Sequence, residues 1–409
     1  MGEYKKNLTF IDIVLATVGY VVGAGIFAVI GLATKYSKEF TWFSILLCGI
    51  LASCTGLSYS ELASMFPKNG GEFYYVKEAM NDDLAKFTGF IILFTEILSV
   101  TAISFALAGY LSKYITLPVN ATATILILIF SFLNYTGIRS SLNYNNVSTV
   151  LEILALIILA TIGFKNVSSK TFDVKKLSLD KLGPILISTA IIYFAFVGFD
   201  IIIELSEETK NADTVIPNAM MMGLVISTIL YLFVGTSAVS SIGWKKLSES
   251  SAPLADVAQK LLGNFGFNIV FFIALVSMSN TILMGHVGAS RFLQGIAETL
   301  KLPFNLEKID PKTNTPRNSI VLVTIICLIG LLMGNLENSV IITNISTMIL
   351  FFLVNLSAIL LRVNKPDIER KFTIPASVGN VPIPSLVGAV SSGILAIYLV
   401  IKPNLFKEI

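Results

Sequence analysis

Residues 9–32 read TFIDIVLATVGYVVGAGIFAVIGL. The stretch is apolar and long enough to cross a bilayer, which takes about 20 residues of helix. Gly23, Ala24 and Gly25 sit near its middle, where glycine is least favourable to a continuous helix. Residues 184–203, PILISTAIIYFAFVGFDIII, carry a second interruption at Gly198, followed by Asp200. Unpaired backbone at bilayer depth survives only where it faces protein, water or a ligand. Two interrupted spans in corresponding positions of two halves therefore point to a binding site near mid-membrane, as in transporters.

Composition sets the class. The chain has 409 residues, 54% of them apolar and 13% charged, with a mean hydropathy of +0.79. Soluble domains carry about 25% charge. An all-α polytopic membrane protein is expected. The net charge of +3 and the absence of any long basic run give no reason to expect a nucleic-acid partner. Cys48, Cys54 and Cys327 fall inside apolar runs, so neither a disulfide framework nor a metal site is expected, and no cofactor motif stands out. The first apolar segment lacks the cleavage pattern of a signal peptide.

About eleven spans follow from hydropathy: 10–33, 42–63, 87–111, 119–136, 147–164, 184–206, 218–242, 266–297, 318–334, 338–361 and 383–402. Residues 66–83 read as an interfacial helix, and 252–264 as a short helix ending at Gly263. Spans 1–5 (about 10–164) and 6–10 (about 184–361) form two halves of a single transmembrane domain, and 383–402 is an additional helix. Each half opens on an interrupted span and has a long span third. With the N-terminus in the cytoplasm, inner loops carry 16 of the 29 basic residues, including all five arginines, and outer loops carry 13. The positive-inside rule favours that orientation. It places the C-terminus outside, in a multi-pass protein of the cell membrane.

An interrupted helix offers specific chemistry. The second half of span 1 begins with free N–H groups on the positive end of a helix dipole, which suits a carboxylate. The first half of span 6 ends in free carbonyls, which suit an ammonium group. Facing each other, the two breaks suit an α-amino acid. The donors come from Gly23, Ala24, Gly25 and Ile26, and the carbonyls from Val21, Phe194, Ala195 and Val197. The competing reading makes these glycines helix-packing contacts.

Several motifs, taken in order, resemble the amino acid–polyamine–organocation (APC) superfamily. GAGIF (23–27) is similar to its G-[ST/A]-G-I-F signature, and FAFVGFD (194–200) to F-A-Y-x-G-F-D. Glu207–Asn211 with Ile216-Pro217 resembles the segment that follows. FPKNGGEFYY (66–75), Ser290-Arg291, Leu302-Pro303, Thr315–Asn318, and Arg370-Lys371-Phe372 with Pro375 resemble later motifs. The resemblance spans essentially the whole chain. It implies a LeuT-type 5+5 inverted repeat, with helices 1 and 6 unwound at mid-membrane. It also implies that Ala24 and Gly25 take a substrate carboxylate and that Val21, Phe194, Ala195 and Val197 take its amine. Phe196 falls at the family's gating aromatic, here without the hydroxyl of the commoner tyrosine. Members that pair with a glycoprotein use a cysteine after span 3. Residues 112–118 contain none, so no disulfide-linked partner is expected.

One departure bears on coupling. Where many proton-coupled or exchanging members have a lysine in span 5, this chain has Glu152. An ionised carboxylate at a helix centre costs about 2.5–3.5 kcal/mol in the membrane. Glu152 could be a proton carrier, could hold a cation such as Na⁺, or could be hydrogen-bonded into a helix interface. Glu96 in span 3 could face the pocket or pair within the scaffold. His286, the single histidine, is either a proton-relay candidate or a residue satisfied between helices. Asp200 and Glu204 lie at depth after the second break, and Glu207-Glu208 are placed to close the inner side through basic partners. Ser99, Phe196, Asn280 and Thr343 are candidates for side-chain selectivity. The expected activity is secondary transport of an amino acid by alternating access, with proton symport ahead of exchange or Na⁺ coupling. A non-transporting amino acid sensor is a reading of a different class. No zinc helix, nucleophile elbow or phosphate loop supports an enzyme.

Overall fold

The computed structural model describes residues 8–66, 71–137, 142–172, 175, 177–313 and 315–401. The chain is a bundle of helices. In order these are α1 (Phe10–Val21), α2 (Ala24–Ser37), α3 (Thr41–Met65), α4 (Gly71–Ala79), α5 (Asp82–Leu111), α6 (Val119–Tyr135), α7 (Leu142–Gly163) and α8 (Leu179–Phe196). A 3₁₀ segment, Asp200–Glu208, precedes α9 (Ala212–Ile242), α10 (Trp244–Glu249), α11 (Pro253–Leu300), α12 (Arg317–Gly330) and α13 (Leu336–Asn364). A small hairpin, β1 (Ser377–Val378) with β2 (Val381–Pro382), leads into α14 (Ile383–Ile401).

Eight helical stretches among the described residues are long and apolar enough to cross a membrane, and α1, α6 and Arg317–Met333 are shorter apolar helices. The protein is a multi-pass membrane protein. The stretch labelled α11 comprises two helices that meet at a kink: the short helix expected at 252–264 ends at Gly263, whose φ of 70° and ψ of −161° are not helical, and the expected span 266–297 follows it. The interfacial helix expected at 66–83 is the shorter α4. Local chemistry sets the ends. Asn81 and Asn335 cap α5 and α13 by accepting the N–H groups of Leu84 (2.8 Å) and Asn338 (2.9 Å). Gly243 stops α9 with a φ of 80°.

Successive helices run between two faces. On the face carrying the 112–118 and 243–252 loops, Lys35 of α2 reaches Glu337 of α13 at 2.8 Å, and Tyr36 donates to the same carboxylate. The opposite face is tied more deeply. Glu61 of α3, 1% exposed, accepts from Arg362 of α13, lies 3.2 Å from Arg370 Nε, and accepts the Ile374 N–H at 2.8 Å. Arg370 also donates to the Leu361 and Lys365 carbonyls, closing the C-terminal end of α13. Lys371 pairs with Asp213 of α9. Asp213, as hydrogen-bond acceptor and as a charge, holds the Lys371 ammonium above its usual pKa. A raised lysine pKa gives stability that is complete below the unfolded value and is lost only as the pH rises through the folded one. Beside these pairs, Leu8 bridges Thr209 and accepts the Lys210 N–H at 3.1 Å, bringing the start of α1 onto the end of the 3₁₀ segment.

Burial decides which of these pairs matters. Removing one partner of a buried, hydrogen-bonded ion pair costs about 3–5 kcal/mol, whereas an exposed pair contributes about 0–1. Glu61→Ala should therefore sharply lower the thermal unfolding temperature in detergent. Lys35→Ala, whose side chain is 55% exposed, should leave it nearly unchanged. Equal effects from the two variants would refute the assignment of the buried cluster as the main tie.

Candidate functional site

The first transmembrane segment breaks at Val22-Gly23. Val22 (φ −84°, ψ 71°) and Gly23 (φ −121°, ψ −149°) leave the helix, and α2 restarts at Ala24. The N–H groups of Ala24, Gly25 and Ile26 form the first turn of α2, where no earlier carbonyl of the same helix can pair with them. The second break is Val197-Gly198-Phe199, with Gly198 at a φ of 117°, open to glycine and strained for other residues. The Asp200 carboxylate accepts the freed Gly198 N–H at 3.0 Å. Phe199 is wedged between the rings of Tyr59 (5.5 Å) and Phe351 (5.6 Å).

The two breaks interlock. A Cβ on Gly25 would lie 2.8 Å from Ala195 Cα and 3.3 Å from the Phe194 carbonyl oxygen. A Cβ on Gly198 would lie 2.7 Å from the Tyr20 carbonyl oxygen. Each glycine thus rests on the backbone of the other broken segment. The donor end of α2 meets the acceptor end of α8, so the two half-helix dipoles face each other with opposite sign.

Tyr231 of α9, fully buried, joins the two ends. Its hydroxyl lies 2.7 Å from the Val21 carbonyl oxygen and 3.0 Å from that of Ala195. The Phe196 ring stands edge-on to the Tyr231 ring, with centroids 5.3 Å apart. Glu152 of α7, 3% exposed, lies within electrostatic reach of the same hydroxyl. Sequence reasoning missed Tyr231. It is one tyrosine among 13, in a helix with no other mark of function.

The other candidates are spread through the bundle. Thr281 Oγ1 of α11 lies 4.0 Å from a Cβ position on Gly23, so α11 passes the first break at the residue next to Asn280. Thr343 is buried and donates to Ser339 of its own helix at 2.8 Å. The next residue, Asn344, reaches the broken helix, donating to the Ala190 carbonyl at 2.6 Å. Glu96 and Ser99 are half-buried on α5.

His286 sits among α6, α11 and α12. Its Nε2 is 2.8 Å from Ser131 and 3.1 Å from Thr324, and its Nδ1 is 3.1 Å from the Asn134 amide nitrogen. Accepting from that amide at Nδ1 leaves Nε2–H to donate to a hydroxyl, which is the neutral ring. Asp200 has an acidic neighbour in Glu72 of α4, which accepts the Tyr59 hydroxyl at 3.0 Å. The side chains of Glu204, Glu207 and Glu208 lie outside the described residues, and so does Arg139.

A cavity of about 440 Å³ opens on the face of the Lys35–Glu337 pair, with Phe27, Phe105 and Tyr110 among its lining. Ser99, Glu96, Asn280 and Thr343 do not line it. Its wall at Phe27 is two residues beyond Gly25. Among the described residues no group of three or more His, Cys, Asp or Glu could hold a metal ion.

A profile described as amino acid permease matches residues 8–407. The chain belongs to the amino acid permease family. It is similar to the branched-chain amino acid permease BcaP of Bacillus subtilis, 26% identical over 393 residues, which cover 91% of this chain and 84% of the relative. The cationic amino acid transporter 1 of Arabidopsis thaliana is 24% identical over 339 residues, covering 78% of this chain and 57% of that longer protein. The methylthioribose transporter of Bacillus subtilis is 23% identical over 394 residues, covering 90% and 84%. Members of this family are transporters, and the permease is not an enzyme.

The contact distances at the breaks predict a specific asymmetry between glycines. Gly25→Ala must push α2 off α8 and should abolish ligand binding. Gly288→Ala, in α11 with open space around it, should be neutral or stabilise by up to about 1 kcal/mol. Thermal stability and equilibrium binding on both variants check this, and a Gly25→Ala protein that binds normally would contradict it.

Proposed function

We propose that this permease carries an α-amino acid across the membrane by alternating access. The zwitterion is held between the two breaks. The N–H groups of Ala24, Gly25 and Ile26 take the carboxylate, and the carbonyl end of α8, with Val21, takes the ammonium. The observation that carries this reading is the interlock of Gly25 with Ala195 and of Gly198 with Tyr20, which sets the donor end of one half-helix against the acceptor end of the other. The fold is read as a 5+5 inverted repeat, about 10–164 and 184–361, with 383–402 outside it. The packing of α3 on α9 and of α5 on α11 supports that reading. Alternating access fits the two faces, one tied by the Glu61 cluster and the Leu8–Thr209 bridge, the other carrying the cavity.

Proton symport is the preferred coupling, through Glu152 beside Tyr231. Asp200 and Glu72, two acidic side chains near Tyr59, are a second candidate site. Exchange and Na⁺ coupling are the alternatives within transport. The permease is read as a cell-membrane protein with its N-terminus in the cytoplasm, which puts the arginine-bearing loops inside. Side-chain selectivity is assigned to the α5, α11 and α13 surfaces near the breaks. Phe196, against Tyr231, is the gating aromatic.

Purified protein in proteoliposomes tests this. A thermal-shift screen of the twenty amino acids should single out a subset of them, since a ligand stabilises the state it binds by mass action. That subset should then be taken up into the liposomes. Methylthioribose belongs in the same screen, because one relative is named for it. Binding without uptake or exchange would favour the sensor, and no stabilisation by any amino acid would overturn the proposal. Glu152→Gln should lower uptake at least tenfold and flatten its dependence on pH, by the usual size of a proton-transfer role. Unchanged rate and pH profile would remove Glu152 as the proton carrier.

A further inference from the structure

The Tyr231 hydroxyl sits on two of the carbonyls that the proposed site offers to an ammonium group. The Val21 oxygen already accepts the Gly23 N–H at 3.0 Å. With Tyr231 at 2.7 Å, both of its lone pairs are used, since a backbone carbonyl accepts two hydrogen bonds. An ammonium group cannot add to that oxygen while the phenol stays. The phenol has a single proton to share between Val21 and Ala195, so one of the two contacts is weak at any moment. A substrate ammonium brings three donors and a full charge, and charge-assisted bonds are about twice as strong as neutral ones.

We propose that Tyr231 is an internal stand-in for the substrate amine: its hydroxyl shares its one proton between the Val21 and Ala195 carbonyls when no amine is bound, and the substrate ammonium displaces it. This rests on the amino acid reading of the site. Tyr231 is a positioning residue with three effects. It offers its one proton to two carbonyls from opposite broken segments, Ala195 and the Val21 oxygen that also accepts the Gly23 N–H, in a dry environment where an unpaired polar group is costly. It reports amine occupancy, because only a ligand with a donor at that place can release it. It passes that release to Phe196, whose ring stands edge-on against its own. Filling the amine subsite thereby moves the aromatic residue beside the substrate. A carboxylate ligand without an amine leaves Tyr231 where it is.

The test compares the preferred amino acid with its des-amino carboxylic acid on wild type and Tyr231→Phe. The variant removes the competing hydroxyl and leaves the ring. Affinity for the amino acid should rise about tenfold, the order expected when one buried hydrogen bond no longer has to be exchanged. Affinity for the des-amino acid should not change, and turnover should fall because release of the amine slows. Equal weakening of both ligands, or no change in either, would overturn the proposal. Should Tyr231→Phe fail to fold, 3-fluorotyrosine placed at position 231 alone keeps the hydroxyl. Its ¹⁹F resonance should shift with the amino acid and stay fixed with the des-amino acid, and a fixed resonance with both would overturn the proposal. If wild type binds no amino acid at all, the amino acid reading itself fails, which is a distinguishable result.

Discussion

A backbone N–H or C=O left without a partner at bilayer depth costs several kcal/mol, and the centre of this bundle is organised around the few such groups released at residues 22–25 and 196–199. Their partners come from the other break and from the helices around it. Asp200 takes the Gly198 N–H, Tyr231 supplies the Val21 and Ala195 carbonyls, and the tight Gly25–Ala195 and Gly198–Tyr20 contacts bring the two half-helix ends together. The N–H groups that open α2 have no earlier turn of helix to bond to. In the proposed function, this donor set beside an acceptor set holds a ligand bearing both charges.

The surroundings fix that geometry from both sides. Phe199 is held between Tyr59 and Phe351, so the chain just past the second break cannot drift. The Asn344 amide holds α8 one to two turns before its end, through the Ala190 carbonyl. On one face the Glu61 carboxylate gathers α3, α13 and the segment before β1 around two guanidinium groups. On the other face the ties are exposed, as at Lys35–Glu337, and a cavity reaches toward Phe27. Strong ties on one face and weak ties on the other fit the proposed alternating access.

The breaks themselves were legible in the residues, because glycine in the middle of an apolar span is costly unless the helix needs to stop there. The end of the short helix at Gly263 was legible for the same reason, and the next span starts directly after that kink. The partners of the breaks were not legible. Tyr231 is drawn to Val21 across 210 residues, and nothing in its neighbours along α9 marks it. Arg362 meets Glu61 across 301 residues. The 3₁₀ form of Asp200–Glu208 follows from packing after Gly198 and has no sequence period to reveal it. His286 stood out because it is unique in the chain, yet uniqueness says nothing of which helices surround it. The Thr343 hydroxyl is taken by its own helix, while the neighbouring Asn344 makes the tertiary contact.

The central claim is that two facing backbone ends form one zwitterion site. Cryo-electron microscopy of the wild-type permease in lipid nanodiscs, with a saturating amino acid, tests it most directly. The account predicts ligand density between the first turn of α2 and the last turn of α8, with its carboxylate on the Ala24–Ile26 N–H groups and its amine on the carbonyl side. Density confined to the cavity beside Lys35 and Glu337, or a continuous helix through residues 21–24, would contradict it.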